Sequence, residues 1–371
     1  MALILSDEAR MVRETALDFF RERSPVTALR KLRDENDPVG FSRELWRQMA
    51  ELGWTGFLVS EDDGGSAFGM TGLAQVMEAA GRCLAATPLV STALLGASLL
   101  SLGGTEEQKD ALLPGLLAGE HIFALALEEG VRHAPGRIAT TAEPDGAGYR
   151  LNGQKTFVLD GHVADTLVVA ARAERGITLF LVPAEAVERT RLLMVDSRNA
   201  ARIRLDNVRV GADAMLGRPN QGAALLELVL DRARAGLAAE MLGSANEAFD
   251  RTVQYLKDRK QFGVAIGSFQ ALKHRAAQMF CEVEITRSAV IAAVSALDSN
   301  ANDAAALVAL AKAKANETFC LCGNEGVQMH GGIGMTDEHE IGFFMKRSRV
   351  AEASFGDTNY CRDRYAGLMG Y

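Results

Sequence analysis

The sequence is poor in cysteine: there are five in 371 residues, with no CxxC pair and no Cys/His spacing that would hold zinc. A disulfide framework and a zinc-finger site are thereby excluded, and the thiols, Cys320 and Cys322 of a CLC run among them, are expected to be reduced and mostly packed in helices. HExxH, P-loop and GxSxG patterns are also missing, which removes the common zinc-protease, phosphate-loop and serine-hydrolase chemistries. There is no excess of cations. Forty Lys and Arg against 48 Asp and Glu leave a net charge of −8, so no basic field exists to hold nucleic acid or anionic lipid. The opening MALILSDEAR has too short an apolar run for a membrane anchor and no basic leader for secretion, so a cytoplasmic protein without membrane association is expected.

What is present suits a globular protein: 48% of residues are hydrophobic and 24% charged, over a length sufficient for two or three domains and a core that needs no staples. Residues 1–121 read as a helical domain, with Leu45, Met49 and Leu52 on one face ended by Gly53, and with capping-box spacing between Thr105 and Gln108. Over 122–220 the pattern changes to runs with strand character: IFALAL at 122–127, TLVVAAR at 166–172 and ITLFLV at 177–182. The turn clusters EPDGAG at 143–148 and LDG at 159–161 separate them at the spacing of a small antiparallel barrel or sandwich. Residues 221–371 return to helix, with segments at 224–257, 268–298, 302–329 and 339–352 that suggest a bundle. In the second segment Phe269, Leu272, Ala276, Met279, Phe280 and Val283 keep helical spacing and call for cover by other helices. The expected fold is mostly α with a central β-domain.

Five local sequences in succession carry a resemblance: GWTGFLVSEDDGG at 53–65, GGTEEQKDALLPGLLAGE at 103–120, YRLNGQKTFVLDGHVAD at 149–165, DRKQFGVAIGSFQ at 258–270 and VQMHGGIG at 327–334. Together they span nearly the whole chain, which resembles an acyl-CoA dehydrogenase. The resemblance implies a helical domain, a β-domain and a C-terminal four-helix bundle, with FAD bound between domains and across a subunit interface, usually in a tetramer. It also implies a reaction: a base removes the α-proton of an acyl-CoA thioester while the flavin accepts hydride from the β-carbon, and electron-transfer flavoprotein reoxidises the cofactor.

Carried onto matching positions, the resemblance makes Arg259 a ligand of the FAD pyrophosphate, with Phe262 and Gln270 helping to enclose the cofactor and Gln328, Gly331 and Gly332 admitting the flavin closely. A guanidinium suits that task because it is always charged and offers a planar fork of donors; read alone, Arg259 is a solvated cation in the run KDRK. Phe157 stands where many relatives place Trp over the flavin, and Leu159 replaces a Thr that bonds it. The segment LEEGVRHAP at 127–135 retains Glu128 and Gly130 of the family's TEPGAGSD but lacks its Thr and Ser hydroxyls; Glu128 is a candidate substrate contact, and His133 at the Ser position reads as an exposed loop histidine.

The largest departure is at the catalytic base. The family's YEGT is FGDT here, so the glutamate position holds Gly356, which cannot abstract a proton although its N–H can still polarise the thioester carbonyl. Relatives resembling isovaleryl-CoA dehydrogenase carry the base on the first helix of the C-terminal bundle, just before an arginine, and the matching pair is Asp231 and Arg232. Asp231 is therefore the first candidate base, with Arg232 beside the substrate; an i,i+3 pair between Asp231 and Arg234 is the plain structural use. Asp357 ranks second, with a turn or capping role as its expected use, and Thr358 would touch the FAD diphosphate. The missing side chain at Gly356 is expected to leave room for a bulky, branched or steroid-derived acyl group. Two other readings stay open: one half of a heteromeric dehydrogenase whose paralogous partner holds the base, and a silent scaffold that binds CoA esters.

Overall fold

The computed structural model describes residues 5–371. Eleven α-helices occur among them: α1 (Asp7–Arg23), α2 (Val26–Asp34), α3 (Arg43–Glu51), α4 (Gly69–Arg82), α5 (Ala97–Gly103), α6 (Glu106–Leu117), α7 (Gly222–Asp258), α8 (Gln270–Asp298), α9 (Ala304–His330), α10 (Ile341–Ala353) and α11 (Thr358–Met369). The strands are β1 (Phe123–Ala126), β2 (Thr141–Asp145), β3 (Gly148–Leu159), β4 (Thr166–Arg172), β5 (Ile177–Pro183), β6 (Glu188–Leu193), β7 (Asn199–Gly211), β8 (Met215–Leu216), β9 (Lys260–Gln261) and β10 (Val264–Ala265). They group into two compact units. The first is Asn36–Gly69 with Ala86–Ala233; the second is Met70–Ala85 with Arg234–Tyr371 and the described residues before Asn36.

In the first unit the strand order is β6-β7-β3-β2-β4-β5-β8, with β1 beside β4. Most neighbours are antiparallel, but β1 pairs β4 in parallel, and β2 meets β4 in parallel at Thr141 and Arg172. Valine and leucine make β4 and β5 buried on both faces, which is why their runs stand out in the sequence; β7 largely alternates buried and exposed residues, β6 has no buried residue, and both carry many charges. EPDGAG differs from its reading as a turn cluster. Its first three residues belong to β2, and only Gly146 and Ala147 turn, with Gly146 at a φ of +64° as a tight hairpin requires. Helix α6 opens on the expected capping box: Gln108 N–H donates to Thr105 Oγ1 (3.2 Å) and Thr105 N–H to Gln108 Oε1 (3.1 Å). The Gln108 amide also donates to the carbonyls of Asp213 (2.7 Å) and Met215 (2.8 Å), tying the helix start to the sheet's end. Leu45 and Met49 are buried as their spacing predicts, whereas Leu52, at the cap of α3, is exposed where the chain turns at Gly53.

In the second unit α9 packs against α8, α10 and α11. Two glycines let α4 and α7 come together: a Cβ at Gly81 would lie 2.0 Å from the Glu240 carbonyl oxygen, and one at Gly243 would lie 1.9 Å from that of Glu78. Ser244 Oγ closes the contact by donating to Gly81 O at 2.8 Å. On α8, Met279 and Val283 are buried while Phe280, and Phe269 at the N-cap, stay exposed, so the apolar stripe is only partly covered within the chain. Phe280 follows Met279 directly and therefore points about 100° away around the helix.

Candidate active site

The sheet unit presents its candidate residues through one irregularity in β3. The register with β7 shifts between Lys155 and Val158, and Phe157 sits at a φ of +51°, a bulge that turns the ring outward to 41% exposure. Thr156 N–H, inside the bulge, donates to Glu128 O at 2.8 Å and so holds the 127–135 segment against the strand. Leu159 ends β3, and the next residue, Asp160, is fixed by Ser91 Oγ (2.6 Å) and Asn199 Nδ2 (3.0 Å).

The same segment is pinned by a buried ion pair absent from the sequence reading. Lys155, fully buried, donates to Glu129 Oε1 at 2.8 Å and to Leu127 O at 3.2 Å. Glu129 also accepts from Ala139 N–H (2.6 Å), Thr140 N–H (2.9 Å) and Thr140 Oγ1 (2.6 Å). Burial works against the Glu129 carboxylate, but these donors hold it down to about 2. Burial likewise pulls the Lys155 ammonium below its ordinary range. Glu129 stands where the family motif has Pro, and that substitution was the available signal. His133 corrects its reading as an exposed histidine: its side chain is 2% exposed and Nδ1 bonds Glu128 Oε1, because the segment folds back on itself.

The candidate base lies on α7. Asp231 is 7% exposed, in a helix whose neighbouring Leu226, Val229, Leu230 and Ala233 are buried. Arg232 is half-buried, and its Nη1 donates to Ser98 Oγ on α5 at 3.2 Å.

In the helical unit the FGDT loop is held by two buried cations. Phe355 and Gly356 both have positive φ, +58° and +117°. Arg234, fully buried, donates from Nε to Phe355 O at 2.9 Å and from Nη2 to Tyr360 Oη at 3.3 Å. Lys312, also fully buried, donates to Gly356 O and Ala351 O, both at 3.1 Å, and to Asn316 Oδ1 at 2.6 Å. Burial pushes the Lys312 ammonium down to about 8. Neither cation was singled out for this loop from sequence, because each lies far along the chain from it. Asp357 is exposed and accepts from Tyr360 N–H at 2.8 Å as the N-cap of α11, a helix the sequence reading missed. Thr358 Oγ1 lies 3.4 Å from Glu352 Oε1.

Gly356 does not open the space expected of it. A Cβ there would stand 2.5 Å from Tyr360 Cδ1 and 3.3 Å from Cys361 Sγ, so Tyr360 already fills the direction a side chain would take. Gly356→Glu, which reinstates the family residue, is therefore expected to cost about 2–5 kcal/mol of stability from the positive φ and overpacking combined. Urea unfolding measures it, and a variant as stable as the parent would show that Tyr360 yields freely.

The residues expected at FAD have the chemistry for it. Arg259 is exposed at the base of the β9–β10 hairpin, whose turn residue Phe262 has a φ of +54° and is 92% exposed. Gln270 opens α8 and Gln328 lies on the last turn of α9, both exposed. A Cβ at Gly331 or Gly332 would meet nothing within 4 Å, leaving backbone that a flat ring system can approach. A guanidinium for phosphate, bare glycine backbone and uncovered aromatic rings fit a flavin dinucleotide. Among the described residues, no group of three or more His, Cys, Asp or Glu is placed to hold a metal ion, and no helix is long and apolar enough to cross a membrane.

Helices preceding and following a sheet, with side chains suited to a dinucleotide, describe a flavin-dependent oxidoreductase. The acyl-CoA dehydrogenase models match along the chain: the N-terminal domain over 6–120, the middle domain over 124–208 and the C-terminal domain over 220–368. The chain belongs to the acyl-CoA dehydrogenase family, and its cofactor is FAD. It is 32% identical to the acyl-CoA dehydrogenase IpdE2 of Mycolicibacterium smegmatis (strain ATCC 700084 / mc(2)155), covering 95% of this chain and 96% of that one. Among solved structures it is similar to a variant of the Tcur3481-Tcur3483 steroid ACAD, at 32% identity and a TM-score of 0.89, covering 98% of each chain. The ChsE4-ChsE5 complex from Mycobacterium tuberculosis is similar at 26% identity and a TM-score of 0.90, covering 100% of this chain and 99% of that one.

Proposed function

We propose that this enzyme oxidises a bulky or branched acyl-CoA to its 2-enoyl-CoA, with Asp231 as the base. Bound FAD supplies the acceptor for the β-hydride. Arg259, Phe262, Gln270, Gln328, Gly331, Gly332, Thr358, Phe157 and Leu159 would hold it, with the Arg259 guanidinium suited to its pyrophosphate. Asp231 takes the α-proton, Arg232 and Glu128 contact the substrate, and the Gly356 N–H donates to the thioester carbonyl. Asp357 is spent on capping α11 and leaves the proton transfer to Asp231. The observation that carries this reading is a buried carboxylate immediately before an arginine on α7, in a chain whose usual base position is Gly356. The steroid description of a similar structure, rather than any space at Gly356, supports the substrate class.

Electron-transfer flavoprotein is the proposed acceptor and a homotetramer the first proposed assembly. A heterotetramer with a paralogous subunit is the second, favoured by the two-component ChsE4-ChsE5 relative. Anaerobic titration of the purified yellow protein with linear, branched and steroid-derived acyl-CoAs tests these points together. Bleaching of the flavin by the bulky thioesters is expected. A clear preference for linear chains overturns the substrate class, and a colourless chain that gains flavin only on co-expression with a paralogue favours the mixed assembly.

A further inference from the structure

The geometry points to Arg234 as a positioning residue that polarises the peptide group whose N–H serves the thioester carbonyl; this rests on the proposed role of Gly356. The carbonyl of Phe355 and the N–H of Gly356 belong to one amide. In a trans peptide these two groups point in opposite directions, so a donor at the oxygen faces away from whatever the N–H meets. Arg234 Nε donates to that oxygen at 2.9 Å. A charge-assisted hydrogen bond there draws electron density toward the oxygen and leaves the N–H more positive, and bonds in such a chain reinforce one another.

The arrangement is more than a clamp. The following carbonyl, that of Gly356, is already held by Lys312 Nζ (3.1 Å) and Asn316 Nδ2 (3.3 Å), and Asp357 caps α11 immediately after it, so the loop is anchored without Arg234. At this carbonyl a charged donor draws more electron density toward the oxygen than a neutral one would. Tyr360 keeps the group in place, since its hydroxyl lies 3.3 Å from Arg234 Nη2 and its ring fills the space at Gly356 that a side chain would take. The carbonyl oxygen thus meets a fixed, permanent charge.

The test is the infrared stretch of a thioester carbonyl, 13C-labelled, in a 3-thia-acyl-CoA that binds without being oxidised. On the parent holoenzyme the band is expected to move below its position in free ligand. In Arg234→Gln much of that displacement is lost and flavin reduction by substrate slows about 10-fold, a fraction of what losing a whole oxyanion donor costs, while FAD content and ligand affinity hold. Arg234→Lys, which keeps the charge, retains more of the displacement than Gln. Tyr360→Phe removes one hydroxyl and keeps the ring, so it gives a smaller loss of the same kind and tests the idea even if the Arg234 variants fail to fold. A parent band that does not move overturns the Gly356 reading and this inference with it. A displaced parent band left unchanged in Arg234→Gln, or in Tyr360→Phe where that is the variant that folds, overturns this inference alone.

Discussion

Asp231→Asn is expected to retain FAD and bind acyl-CoA while slowing flavin reduction by about 10³-fold, within the range that a positioned general base contributes. The substitution is nearly isosteric, so packing around this buried position on α7 is preserved while the ability to take a proton is lost. Rapid mixing with substrate under anaerobic conditions reads the effect directly, because flavin absorbance falls only when hydride leaves the β-carbon. Asp231→Ala should behave alike, with an added stability cost from the lost side chain. Unchanged reduction in Asp231→Asn would remove this residue from the chemistry and turn attention to a base supplied by another chain. Introducing Gly356→Glu into Asp231→Asn is not expected to restore the rate, because Tyr360 occupies the path a side chain at 356 would follow.

The contrast between these two positions shows what the sequence makes legible. Identity at single positions is readable: a glycine where a carboxylate usually stands, and an Asp-Arg pair on the first helix of the C-terminal segment, both direct the reader to Asp231. Short runs dominated by one pattern are readable too, so the buried strands β4 and β5 and the long helices α7, α8 and α9 appear near their true bounds. Strands β6 and β7 do not, because β6 has no buried residue and in β7 the buried positions are interrupted by exposed arginines, so neither has an apolar run to announce it. Contacts distant in sequence are hidden for another reason. Nothing local to Arg234 or Lys312 indicates that their charges reach the Phe355 and Gly356 carbonyls, and nothing local to Gly356 indicates that Tyr360 closes over it. His133 belongs to the same class: a loop histidine reads as solvent-facing until the chain is seen to bring Glu128 onto its ring.

The Glu129–Lys155 pair carries the second large effect, on stability rather than rate. Removing one partner of a buried pair leaves the other charge uncompensated, so Glu129→Gln is expected to destabilise the protein by about 3–5 kcal/mol. The loss includes weaker bonds to the Ala139 and Thr140 N–H groups, which free the segment that Glu129 holds against β3. The pH dependence separates this from ordinary packing damage. The folded-state value of Glu129, about 2, lies below its ordinary 4.5, so its stabilisation is fully present above about 4.5 and disappears as pH falls from there toward 2. Lys155 is shifted downward from 10.5, so its linkage acts in the alkaline range and leaves the acid limb to the carboxylates. Urea midpoints of parent and Glu129→Gln protein should therefore converge as pH falls through that acid window and stay apart at neutral pH. A constant separation at every pH would mean that the carboxylate's charge is not what holds the segment. Because that segment carries Glu128 and meets the bulge that presents Phe157, the variant should also release FAD more readily at neutral pH, measurable as free flavin after gel filtration.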